Sequence, residues 1–173
     1  RRNMLARAAS VGMPVEDFMK SGHITLMSIN PAEMSPGAFI HAVLQHIDRN
    51  ATKILVIDSL NGFMQAMPDA KFLNVQLHDL LTYLNTRGVL SIMTVAQHGF
   101  IGVMQTPVDL TYLADTVILL RFFEQGGQIK KAISVIKKRI GPHEDTLREF
   151  KIDGVGLRVG PALEEFHGVL TGT

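Results

Sequence analysis

Apolar positions recur along this chain in two rhythms, one helical and one strand-like, and their alternation predicts the order of elements. Residues 3–13 place Leu5, Ala8, Ala9 and Gly12 at helical spacing and stop near Gly12 and Pro14. Residues 23–29 (HITLMSI) read as a short strand ended by Asn30 and Pro31. Ser35 before Pro36 starts a helix, the hydroxyl capping it and the proline occupying its first turn, and Ile40, Val43, Leu44 and Ile47 form its apolar stripe.

Residues 53–58 (KILVID) are an apolar run closing on a carboxylate, with helical patterns on both sides. That combination predicts a strand buried on both faces. Leu73, Leu77, Leu80, Leu81 and Leu84 mark the next helix, which Gly88 ends, and residues 89–95 follow as a strand. Helices between strands predict a parallel sheet linked by right-handed crossovers. Residues 98–107 read as a loop, 108–115 hold a short helical piece, and 116–122 (TVILLRF) are another buried strand. Gly126 and Gly127 signal a hairpin, so 129–138 and 147–152 extend the sheet in antiparallel fashion. The whole of 1–173 is expected to be one α/β domain with a β-rich tail.

Composition narrows the classes. A hydrophobic share of 46% and a charged share of 19% belong to a folded soluble chain, and the cytoplasm is the expected compartment. The net charge of +1 disfavours a nucleic-acid surface, and no membrane association is expected. With no cysteine, disulfides and thiolate metal sites are excluded. The seven histidines show no metal spacing, His41 and His46 being five apart. No G-x-S-x-G elbow surrounds Ser59, which argues against a serine hydrolase. The nine methionines read as core filling.

Three places carry candidate chemistry. Asp58 falls just past a strand end, at the carboxyl edge of the expected sheet, where a carboxylate either holds Mg²⁺ through water or caps a turn. Lys137, Lys138 and Arg139 end a strand before Gly141, Pro142 and His143. Alternation puts Lys137 and Arg139 on one face and Lys138 on the other, so the pair either receives a phosphate or is a solvated strand end. Gln97, after the strand that follows Asp58, is either a sensor of a terminal phosphate and its attacking water or a loop residue bonded to local backbone.

The order of ILVIDSLNGF, YLADTVILLRFFE, AISVIKKRIGPHEDTLREFKI and the tail REFKID...LRVG...EEFHGVLTGT resembles the second half of a KaiC-like ATPase domain of the RecA superfamily. The resemblance spans nearly all of the chain, and the segment around Lys137 is its most specific match. It implies a RecA-like P-loop NTPase fold fragment, mainly parallel with an antiparallel carboxy-terminal extension, from a parent that hydrolyses ATP with Mg²⁺ between subunits of a self-associating ring, commonly a hexamer. Asp58 would be the Walker B acid serving its own subunit's nucleotide. Lys137 and Arg139 would reach the phosphates of the neighbour's ATP, with Lys138 and His143 in the same nucleotide-contacting segment and Ser10 near the base.

The sequence departs from that pattern in several places. No G-x-x-x-x-G-K-[ST] occurs, so the donors that cradle phosphates are missing, and the paired glutamates that activate water would lie upstream of Arg1. A longer parent is therefore expected, with little hydrolysis by this part alone. Thr111 and Tyr112 stand where clock-type members carry neighbouring phosphorylated residues, Val11 replaces an aromatic, and Ile140 replaces a glycine. The expected function is signalling or circadian-clock-type regulation through an ATPase cycle. Signalling proteins are expected as partners beside self-association, and the alternatives are a non-catalytic regulatory or assembly module with a degenerate nucleotide site and a DNA-binding recombinase-like ATPase. Loss of the central phosphate-loop strand would also leave the strands at 89–95 and 116–122 either paired directly or open to a strand from another copy.

Overall fold

A computed structural model describes residues 2–30, 33–66, 70–96 and 112–164. Its elements run α1 (Arg2–Ser10), α2 (Val15–Lys20), α3 (Pro36–Asn50), β1 (Ile54–Ile57), α4 (Asn61–Ala66), α5 (Ala70–Thr86), β2 (Leu90–Met93), β3 (Thr116–Gln125), β4 (Gln128–Lys138), β5 (Arg148–Asp153) and β6 (Gly156–Ala162). They group into two compact units, one holding α1, α2 and β3 to β6, the other α3, β1, α4, α5 and β2. The fold class is α/β, a RecA-like fragment with a parallel pair, an antiparallel extension and helices.

In the second unit β1 and β2 pair in parallel, Ile54 opposite Leu90 and Ile57 opposite Met93. α3 begins as the sequence requires: Ser35 Oγ accepts from the Ala38 N–H at 3.2 Å, with proline in the first turn. It ends on Ala51 in the left-handed region, whose N–H returns to the Ile47 carbonyl. Phe39, Val43 and Ile47 of α3 meet Leu73, Leu77, Leu80 and Leu84 of α5, closing over Ile57, Leu60 and Val89. Ile40 and Leu44 flank this core half-buried. Each buried leucine contributes about 1.5–3 kcal/mol, so the leucine stripe is the main reason α5 forms. Gly88, at φ 66°, turns the chain from α5 into β2.

In the first unit the sheet order is β3-β4-β5-β6, antiparallel throughout. Gly126 and Gly127 both have positive φ and join β3 to β4 in two residues, the turn a right-twisted hairpin favours. Phe123, Ala132 and Phe150 are buried, together with Arg121 and Ser134. At the β5–β6 turn Asp153 accepts from the Val155 N–H and pairs with Arg158. The α1–α2 turn reaches the same place: a Cβ on Gly12 would lie 2.9 Å from the Gly154 carbonyl oxygen.

Several sequence expectations are corrected. Residues 24–30 are extended without strand pairing, because a strand needs a ladder and none is formed there among the described residues. β1 and β3 are not buried on both faces. Ile54 and Val56 are each 56% exposed, as are Ile118, Leu120 and Phe122 to a similar degree, since among the described residues only one face of each strand is covered. Among the described residues the parallel part is confined to β1 and β2, and the antiparallel extension is the larger. β2 and β3 belong to different sheets, so they do not pair directly. α2, α4 and β6 were not anticipated, the expected loop at 98–107 lies outside the described residues, as do residues 108–111, and the described rest of the expected helical piece, 112–115, is turn and bend rather than helix.

Candidate functional site

Asp58 follows β1 directly, at the carboxyl end of the parallel pair, and its carboxylate is exposed. Here β1 and β2 are tied by side chains as well as by their ladder. The Thr94 hydroxyl, one residue past β2, donates to Asp58 Oδ1 at 2.6 Å. Thr94 is itself fixed by backbone: its N–H donates to the Ile57 carbonyl at 3.0 Å, and its carbonyl accepts from the Leu60 N–H at 3.1 Å. Two residues on, the Asn61 amide spans Ala96, donating to its carbonyl at 2.8 Å and accepting from its N–H at 2.7 Å. Asn61 thereby continues the ladder where the strands have stopped.

This arrangement leaves Asp58 Oδ2 with no partner among the described residues. No group of three or more His, Asp or Glu able to hold a metal ion occurs among the described residues. A lone exposed carboxylate fits Mg²⁺ held through its water, since that ion keeps several waters and is commonly bound by one or two carboxylates and substrate phosphates. The residues for a phosphate cradle are not in this sequence, so the donor set fits a metal-bound water but not a complete triphosphate site.

The basic residues lie in the other unit. Lys137 and Lys138 end β4 opposite Val117 and Thr116, so they alternate across the sheet as expected. A β-bulge between the Ile118 and Val117 pairings places Ile136 outside the regular register. Lys137 is half-buried, while Lys138, Arg139 and His143 are exposed. The Lys138 ammonium donates to the Pro142 carbonyl at 3.0 Å and so braces the turn around Gly141. Arg139, just past the strand, gives its N–H to the Asp115 carbonyl at 2.7 Å and its guanidinium to the Asp115 carboxylate at 3.0 Å. With the two side chains 54% and 75% exposed, that ion pair contributes about 0–1 kcal/mol.

The segment beyond is held by Glu144, which bonds the Thr146 hydroxyl and the Arg148 guanidinium. The Thr146 hydroxyl first, and then Arg148, hold the Glu144 carboxyl below the usual carboxylate value. The Val155 backbone N–H, and then Arg158, do the same for Asp153.

Lys137, Lys138, Arg139 and His143 therefore share one strand end and turn. Ser10 closes α1 in the same unit, its hydroxyl donating to the Arg7 carbonyl at 2.8 Å. Asp58 lies in the other unit, and Gln97 is outside the described residues, as is Thr111. Sequence reasoning overlooked Thr94 and Asn61. The available signal was Asn61 three residues after Asp58, a residue type that bonds backbone; Thr94 looked like any β-branched strand residue.

A family model described as "ATPase: KaiC" matches residues 1–164. Among curated proteins, the chain is 22% identical over 174 residues to "Circadian clock protein KaiC3" of Synechocystis sp. (strain ATCC 27184 / PCC 6803 / Kazusa), covering 100% of this chain and 34% of that protein. It is also 22% identical to "Circadian clock oscillator protein KaiC" of Synechococcus elongatus, covering 100% of the chain and 33% of the relative. The protein of the same name from Thermosynechococcus vestitus is 21% identical with the same coverage. The chain thus spans about a third of the length of these relatives. Its fold and the family match over residues 1–164 together place the chain in the KaiC ATPase family.

Proposed function

We propose that this chain is the part of a KaiC-type ATPase that supplies the magnesium-side acid to one nucleotide and the basic finger to the next. The observation that carries this reading is the Asp58 carboxylate, exposed at the carboxyl edge of the parallel pair with one oxygen already fixed by Thr94. That edge is where open α/β sheets bind ligands. When bound, Mg²⁺ would neutralise charge on the phosphates. Asp58 would hold such an ion through one of its waters, and Arg139, on leaving Asp115, would offer a forked donor to a phosphate. Lys137 adds positive charge from the adjoining strand position, while Lys138 and His143 hold or line the same turn.

Two units with their chemistry on separate elements suit a site completed between subunits, and a closed ring, commonly of six, is the assembly we propose. One RecA-like domain spanning 1–173, with Ser10 near the base and Gln97 at the terminal phosphate, completes the reading. The names of the relatives support a part in circadian-clock-type regulation or related signalling. No helix among the described residues is long and apolar enough to cross a membrane, which is compatible with a cytoplasmic role.

The test is Mg²⁺-dependent ATP turnover by the full-length parent with Asp58→Asn and Arg139→Ala. Each is expected to reduce turnover at least about a hundredfold, as removal of a charge-stabilising group does. Unchanged turnover in both would reject the assignment. A second reading is a non-catalytic assembly module, in which the full-length parent carries no G-x-x-x-x-G-K-[ST] at all. It predicts a parent that forms rings yet retains no nucleotide.

A further inference from the structure

We infer that Thr94 is a positioning residue for Asp58, fixing its carboxylate through Oδ1 and leaving Oδ2 as the acceptor for a metal-bound water. This rests on the proposed role of Asp58. An aspartate past the end of a strand ordinarily samples several rotamers, and an exposed one has little to hold it. Here its Oδ1 is held by a hydroxyl at 2.6 Å, the length of a charge-assisted O–H···O⁻ bond.

The donor is unusually rigid for an exposed side chain. Thr94 is β-branched and stiff at χ1. Its backbone is bonded on both sides, N–H to Ile57 and carbonyl to Leu60, so its Oγ1 is anchored to the same two segments that flank Asp58. Asn61 secures the next turn of chain through Ala96. The hydroxyl has one proton, and it is committed to Asp58. Consequently Oδ1 is occupied, Oδ2 has no partner among the described residues and is left to accept, and the carboxylate need not be ordered when a metal-bound water arrives. Lower ordering cost means tighter metal retention at the same charge.

A structural role alone would make different demands. Thr94 is exposed, so its methyl fills no core, and Thr94→Val keeps the shape while removing only the proton. Thr94→Ser keeps the proton and removes the methyl.

The experiment measures Mn²⁺ binding by electron paramagnetic resonance to the full-length parent with a non-hydrolysable ATP analogue, alongside the Mg²⁺ dependence of turnover. Thr94→Val is expected to weaken Mn²⁺ binding and raise the half-saturating Mg²⁺ about three- to tenfold, with the KM for ATP at saturating Mg²⁺ within about twofold of wild type. Thr94→Ser should match wild type within about twofold, and Thr94→Val should add nothing in an Asp58→Asn background. Equal impairment of the serine and valine variants would overturn the inference, as would a valine variant that binds Mn²⁺ normally while Asp58→Asn does not. Should Asp58→Asn itself bind Mn²⁺ normally, the magnesium role of Asp58 falls and Thr94 falls with it.

Discussion

Replacing Asn61 with alanine removes two hydrogen bonds at once, both to Ala96 and at 2.8 and 2.7 Å. Each such bond contributes about 0.5–1.5 kcal/mol net, so the pair is worth about 1–3 kcal/mol. Alanine returns about 0.5 kcal/mol at this position in α4, because it is the better helix former. The net local loss is about 0.5–2.5 kcal/mol, a factor of roughly 2 to 70 in an opening equilibrium. Native-state hydrogen exchange at the Ala96 amide reads that factor directly, since the amide donates to Asn61 Oδ1. We expect it to exchange about two- to seventyfold faster in Asn61→Ala, while the Leu80 and Leu84 amides in the core helix change in step with global stability only. Asn61→Asp keeps the acceptor of the Ala96 amide and loses only the donor to its carbonyl, so it should accelerate exchange less than alanine does. An Ala96 amide with unaltered exchange in both variants would refute the idea that Asn61 holds the end of β2.

Other perturbations test the frame around the site. Leu84→Ala, at a fully buried position, should cost about 2–5 kcal/mol by urea unfolding of the α3–α5 unit, and a loss below about 1 kcal/mol would contradict its place in the core. Gly12→Ala should destabilise by about 2 kcal/mol, from positive φ and the close Gly154 oxygen; an unchanged melting temperature would refute that contact. Glu144 has a folded pKa held below the ordinary carboxylate value, so its stabilisation is present above that value and is lost as pH falls through the lowered one. Glu144→Gln should therefore lower the urea midpoint at neutral pH and converge with wild type in acid, and parallel curves at all pH values would count against this cause.

The parts of the fold that local pattern decides were legible. The leucines of α5, the Ser35 cap and the paired glycines before β4 each carry their structural reason within a few residues. What depended on distant chain was not. The apolar runs of β1 and β3 reveal two apolar faces, but which face is covered is set by elements elsewhere. β6 escaped notice because Gly160 and Pro161 interrupt its alternation, which an edge strand tolerates. At the candidate site Asp58 was visible from its strand, whereas its contact with Thr94 joins residues 36 apart and follows from the parallel register alone. The basic cluster was found by charge and alternation. Its tethering to Asp115 was not, because that aspartate comes to it only through the β3–β4 ladder.

Mixing two inactive forms of the full-length parent gives the most direct measure of the proposed division of labour. Asp58→Asn and Arg139→Ala subunits, combined in equal amounts and allowed to reassemble, should regain turnover at the roughly one-quarter of interfaces that pair an intact acid with an intact arginine. Recovery toward about a quarter of the wild-type rate is the expected result. No recovery, in mixed rings shown to have exchanged subunits, would contradict a site built from Asp58 of one protomer and Arg139 of another.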